Sequence, residues 1–189
     1  MILTFATGNQ GKLMEARSVF SRAGIEVAGR KVDFDEPRSA DLAVIAKAKL
    51  KQARGLIEPP YFVQDSAFYI DALGGFPATY VNFALSTIGV QGILKLMEGV
   101  KDRRCRFRQC VACFDGEKET YFTSETPGTL AHKERGGDRP EQLSALWRVF
   151  IPDGAACTLS EFAPDRLRAF QHHGGRALRQ LVEFLEVEE

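Results

Sequence analysis

Apolar residues recur along the chain with two periods, and the switches between them mark its elements. Ile2 to Ala6 is a short apolar run that predicts a first strand, with Thr7-Gly8-Asn9 as the loop after it. From about Lys12 to Ala23 the spacing turns helical. Leu13, Ala16, Val19 (or Phe20) and Ala23 share a stripe, and Gly24 stands at the C-cap. Glu26 to Val32 predicts a second strand. Asp33 to Asp41 is a polar loop containing Pro37, with an N-cap at Ser39 or Asp41. The next helix carries Leu42, Ile45, Ala46, Leu50, Ala53 and Leu56 on one face and its lysines on the others.

Pro59 and Pro60 stop that helix, and Tyr61 to Gln64 enters a third strand ending at Asp65. Gly74, Gly75 and Pro77 mark a turn, and residues 78–98 read as mostly helical with a break near Gly89. Strands near 105–114 and 119–124 form a hairpin around Asp115-Gly116. Residues 131–142 are polar, charged and glycine-containing, which predicts a mobile loop. Val149 to Pro152 is a short strand, and Ala177, Leu178, Leu181, Val182 and Leu185 give a final amphipathic helix. Strands and helices mix without strict alternation. The expected class is α/β, with a mixed central sheet flanked by helices.

Composition narrows this picture. At 189 residues and 44% hydrophobic, the chain buries a full core as one domain, 1–189, divided into two lobes at most. Basic and acidic residues number 25 each, so no global positive field draws in a nucleic-acid polymer; a small anion needs a local cluster. MILTFATGN has no basic leader and reads as a strand rather than a signal peptide. No stretch approaches the roughly 18 apolar residues of a membrane helix. The expectation is a cytoplasmic protein with no membrane partner. Cys110 and Cys113 form a C-x-x-C, but positions three apart on a strand point to opposite faces, which favours buried core residues over a metal or redox pair.

Three stretches carry candidate chemistry. Thr7-Gly8-Asn9-Gln10-Gly11-Lys12 lies where a strand hands over to a helix, and free N–H groups and the helix dipole there suit phosphate. Lys12 adds a full charge, while Thr7 and Asn9 add orienting hydrogen bonds; an ordinary polar loop with an N-cap reads equally well. Asp65, followed by Ser66, closes an apolar strand, where α/β folds place ligand chemistry. Asp33, Asp35 and Glu36 occupy the loop before the second helix, and carboxylates from two loops near a phosphate site suit Mg²⁺. Last, His172 and His173 precede the final helix and could meet an anion or a base edge, although adjacent histidines on a loop are more often solvated.

Read together, these segments resemble the inosine/xanthosine triphosphate pyrophosphatases, the Ham1-like family, over essentially the whole chain. FATGNQGKLMEA is similar to the family's opening F-A-T-x-N-x-x-K-x-x-E, and DFDEPRSAD to its metal-binding glutamate loop. VQDSAFYIDALGGFPATYVNF resembles the stretch with the catalytic aspartate, and FIPDGAACTLSEF and HHGGRAL resemble its closing motifs. The resemblance implies two lobes with an active-site cleft, usually a homodimer, and Mg²⁺-dependent hydrolysis of a nucleoside triphosphate to monophosphate and pyrophosphate. It implies a triphosphate grip by Thr7, Asn9 and Lys12, with Glu36 and Asp65 on the metal or the attacking water and Lys12 and Asp65 catalytic. Ser66, Phe150, Arg168, His172 and His173 complete the implied substrate contacts.

The departures from the family pattern cluster. Its G-F-G-[WY]-D-P-x-F signature falls on residues 143–150, where Trp147 and Arg148 replace aspartate and proline and only Phe150 remains. His172-His173-Gly174 replaces S-H-R, and Arg168 stands for a lysine. Gln64 replaces the acidic neighbour of the catalytic aspartate, and Ala67 and Ala78 replace glycines. The phosphate half is kept and the base-reading half rewritten, which implies altered base specificity, toward a modified or non-standard purine nucleotide. The alternative is a catalytically impaired nucleotide-binding protein that keeps the fold. Trp147 suits either a stacking platform or the core.

Overall fold

The structure, a computed structural model, describes residues 1–140, 142–174 and 176–187, with only the backbone of 171–174 and 187. The chain forms two compact units: Met1–Ser66, Gln109–Ser124 and Gln171–Glu189 in the first, Ala67–Arg108 and Glu125–Phe170 in the second.

In the first unit, β1 (Ile2–Ala6) pairs in parallel with β2 (Glu26–Arg30) and with β3 (Tyr61–Ile70). Helix α1 (Gln10–Phe20) ends in a 3₁₀ turn, Ser21–Ala23, closed by the left-handed Gly24. Helix α2 is Leu42–Ala53, and α6 is Arg176–Val187. The two faces follow from strand parity. Phe62 packs among Leu13, Ala16 and Phe20 of α1 and Leu178 and Leu181 of α6. Its neighbour Tyr61 points the other way and donates its hydroxyl to the Leu50 carbonyl of α2 at 3.3 Å. Helices α1 and α6 therefore cover one face and α2 the other.

The second unit contains β4 (Pro77–Ala78), α3 (Val81–Thr87), α4 (Gly89–Leu96), β7 (Phe150–Pro152) and α5 (Pro164–Gly174). Its core gathers Phe68, Ile70, Ile93, Met97, Leu146, Trp147 and Phe150. The buried Arg103 donates to the carbonyls of Met97, Leu130 and Ala131 at 2.7–3.0 Å. Strands β3, β5 (Arg104–Phe114) and β6 (Glu119–Leu130) contribute residues to both units. The sheet is seven-stranded and mixed, with the order β2-β1-β3-β5-β6-β7 and β4 paired antiparallel to β3. The expected α/β class holds.

Several boundaries differ from expectation. Strand β3 does not end at Asp65 but runs on to Ile70, because Ala67, Phe68 and Ile70 have a core of their own to enter. Strand β6 does not end near residue 124 but runs through Pro127-Gly128 to Leu130. A Cβ on Gly128 would lie 2.4 Å from the Ile151 carbonyl oxygen, so glycine is what lets β7 approach. Leu56 lies beyond α2 and is exposed. The polar stretch after β6 is tied down at its start. Ala131 and Arg135 donate backbone bonds to Val149 and Arg148, and Thr158 donates its hydroxyl to the Arg135 carbonyl. Among the described residues, no helix is long and apolar enough to cross a membrane.

Candidate active site

The turn between β1 and α1 is built by its own side chains. Thr7 donates its backbone N–H to Arg30 at 2.9 Å, and its Oγ1 accepts from Asn9 N at 3.1 Å. Asn9 is the N-cap, its Oδ1 accepting from Lys12 N at 3.0 Å, so α1 begins at Gln10 rather than near Lys12. The polar-loop reading of Thr7 and Asn9 is thus realised in full. It leaves the unpaired N–H groups of the first turn, and Lys12, for an anion. The Lys12 ammonium turns back to donate to the Gln64 carbonyl of β3 at 3.0 Å. Burial pushes its pKa down, with Asp65 working against that shift.

Parity on β3 decides what surrounds the next residues. Asp65 shares the face of Tyr61 and Val63 and so meets α2; Gln64 shares the face of Phe62 and meets α1. On the α2 face, Lys49 reaches Asp65 Oδ1 at 2.7 Å and Glu36 Oε1 at 2.6 Å. Burial works against the Lys49 ammonium, but the two carboxylates more than offset it and hold its pKa above the ordinary value. Glu36 reaches this point because its loop is pinned to α2. Asp35 donates its N–H to Gln52 Oε1 at 2.9 Å, and Gln52 Nε2 donates to the Asp35 carbonyl at 2.8 Å. Asp65 Oδ2 is buried and has no protein partner.

Lys49 was missed in the sequence, where the lysines of α2 were assigned to its polar faces. Its position did carry the signal: Ile45, Ala46, Lys49, Leu50 and Ala53 fall on one buried stripe. A cation on the apolar stripe of an amphipathic helix calls for a buried anion opposite, which here is Asp65.

On the α1 face, Gln64 is buried with both amide atoms unpartnered, and Glu15 has an unpartnered Oε2. Burial raises the Glu15 carboxyl to about 7, against the pull of the neighbouring Gln64 and Lys12. Buried polar atoms without a close hydrogen bond thus lie on both faces of β3, at Glu15 and Gln64 toward α1 and at Asp65 toward α2.

The remaining candidates are more scattered. Ser66 is half-buried beside Asp65. Phe150 is fully buried against Phe68 and Phe107, so it is a core ring rather than an open wall. Trp147 is buried in the same core, which decides for packing over a stacking platform. Arg168 is exposed and pairs with Asp165, and Arg148 pairs with Glu134 at 2.9 Å and Asp138 at 3.5 Å. His172 and His173 lie on the backbone of α5, not in a loop, and their side chains fall outside the described residues.

For a metal, the donor set fits a hard divalent ion that takes most of its ligands elsewhere. Two carboxylates, Glu36 and Asp65, converge, and one oxygen is buried without a partner. Mg²⁺ uses one or two carboxylates plus phosphate oxygens and water. Among the described residues, no cluster of three or more His, Cys, Asp or Glu side chains is placed to hold an ion. Cys110 and Cys113 are both buried within β5 and are not joined in a disulfide.

A chain from Thermococcus kodakarensis named dITP/XTP pyrophosphatase is 36% identical over 98% of both chains, and one of the same name from Methanopyrus kandleri is 35% identical over 97% and 96%. The fold matches the Ham1 protein structure of Staphylococcus aureus with a TM-score of 0.81 at 20% identity over 100% of both chains. It matches the HAM1 protein of Coxiella burnetii with a TM-score of 0.82 at 20% identity over 98% of both. The model of the Ham1 family matches residues 3–184, and the chain belongs to that family.

Proposed function

We propose that this chain is a Mg²⁺-dependent nucleoside triphosphate pyrophosphatase that releases pyrophosphate and a nucleoside monophosphate. The observation that carries the reading is the charged group in the first unit: Lys12 at the start of α1, and Lys49 between Glu36 and Asp65. The relatives named dITP/XTP pyrophosphatase support the reaction class.

In this reading Lys12 and the free N–H groups of α1 hold triphosphate oxygens and offset the charge that builds in the transition state. The unpartnered Asp65 Oδ2 would accept a proton from an attacking water. Glu36 and Asp65 would hold Mg²⁺, which supplies further positive charge to the phosphates. The base preference is altered, toward a modified or non-standard purine nucleotide. Where the resemblance leads one to expect an aspartate and a proline, this chain has a core tryptophan and an ion-paired arginine. Ser66, Arg168, His172 and His173 remain the substrate contacts proposed from resemblance, while Phe150, fully buried, is left to the core. The protein is proposed to act as one domain, as a cytoplasmic homodimer; light scattering on the purified chain reads the oligomer.

A second reading has an observation of its own. Gln64 brings an amide, unpartnered and buried, where the family carries an acid, so a chain that binds nucleotide without turning it over is the alternative. Pyrophosphate release separates the two, measured across natural, deaminated and modified triphosphates with Mg²⁺ or EDTA. Metal-dependent release that Asp65→Asn lowers by at least about a hundredfold is expected. Binding with no release from any nucleotide selects the alternative.

A further inference from the structure

Lys49 occupies a place that two cations would contest. Its ammonium donates to Glu36 Oε1 at 2.6 Å and Asp65 Oδ1 at 2.7 Å, and its side chain is 11% exposed. An ammonium between two carboxylates cancels their repulsion, so the pair needs no metal to coexist. These are also the groups proposed above to hold a divalent ion. Two cations on the same oxygens repel strongly where water is scarce. An ammonium driven from a buried pair is costly unless a new anion receives it. The Phe34 ring lies 5.8 Å from the Lys49 ammonium and offers it no charge. A triphosphate supplies the missing anion.

We infer that Lys49 is a placeholder for the metal. In the resting chain it holds Glu36 and Asp65 together and keeps a free divalent ion out. It gives way when the ion arrives with nucleotide, transferring its ammonium from the carboxylates to phosphate oxygens. Metal and nucleotide are therefore positively coupled through Lys49, each strengthening the other's binding. The inference rests on Glu36 and Asp65 being the metal ligands.

The test is Mn²⁺ binding to the full chain, read from the EPR signal of the free ion, with and without an α,β-imido triphosphate. The wild type binds Mn²⁺ weakly alone and at least about tenfold more tightly with the analogue. Lys49→Met binds Mn²⁺ alone at least about tenfold more tightly than the wild type, while Lys49→Arg, which keeps the charge, stays weak. A Lys49→Met chain that is folded by circular dichroism and binds the ion no more tightly overturns the inference. If that variant does not fold, the wild type decides through its ¹⁵Nζ-lysine spectrum, with Lys49 assigned by Lys49→Arg. The Lys49 resonance stays in place with Mg²⁺ alone and moves with Mg²⁺ plus analogue; a resonance unmoved by both, or moved by Mg²⁺ alone, overturns it. Asp65→Asn separates the layers. If it leaves Mn²⁺ binding with analogue unchanged, the ligand assignment fails and the inference with it. If it abolishes that binding while Lys49→Met shows no gain, only the placeholder role fails.

Discussion

Glu15 places a carboxyl in the interior of the first unit with one oxygen unpartnered and its pKa pushed up to about 7 by burial. The unfolded chain releases this proton near the ordinary carboxylate value, whereas the folded chain keeps it to about pH 7. Between those values the folded state binds more protons, so the group's contribution to stability is full at low pH and declines as pH rises toward 7. The decline is of order 3 kcal/mol at most. Urea denaturation at pH 5 and pH 8 checks this: Glu15→Gln should lose less stability than the wild type over that interval. A variant that tracks the wild type at both pH values would show that Glu15 ionises without penalty. At the same scale, Gln64 and Asp65 differ in role because one residue of register sends them to opposite faces of β3, toward α1 and α2.

Local geometry at two elements departs from what their residues prefer. Ala78, in β4, has φ 54, a left-handed backbone that costs a non-glycine residue about 1–2 kcal/mol. Glycine would relieve that cost but lose about 0.4–1 kcal/mol through the greater freedom of the unfolded chain. Ala78→Gly should therefore raise the urea midpoint, by the equivalent of about 0.5 kcal/mol. A lowered midpoint would mean the Ala78 methyl packs well enough to outweigh its backbone. At α2, Asp41 is the N-cap, its side chain accepting from Ala43 N at 2.9 Å, while Ser39 supports Asp41 itself. Asp41→Ala should cost about 1 kcal/mol, against a few tenths for an exposed substitution away from any cap. Thermal denaturation of Asp41→Ala and Ser39→Ala side by side reads which residue caps.

What was legible in the sequence follows from these distances along the chain. The β1–α1 turn was readable because strand, cap and lysine lie within a dozen residues, and local chemistry sets their geometry. Asp65 was found for the same reason, as a lone acid after an apolar run. Lys49 was not, because its anion is sixteen positions away and its charge assigned it to a polar face although its spacing sets it on the apolar stripe. The ends of β3 and β6 lie beyond the expected 65 and 124, at Ile70 and Leu130. Both strands continue where a second core, invisible to local pattern, receives the residues beyond.

Across the whole molecule, charge is balanced at 25 basic and 25 acidic residues, so ligand capture depends on a few placed groups and not on a general field. Lys12, Lys49, Glu36 and Asp65 are the groups proposed for that role, and together with membership of the Ham1 family they support cleavage between the α and β phosphates. The products test this most directly. The chain should be incubated with Mg²⁺ and a pool of purine triphosphates, including deaminated ones, and followed by ³¹P NMR. Pyrophosphate and nucleoside monophosphate rising in equal amounts, and absent with Asp65→Asn, is the predicted result. Orthophosphate with nucleoside diphosphate, or no product from a folded chain that binds the nucleotides, would contradict it.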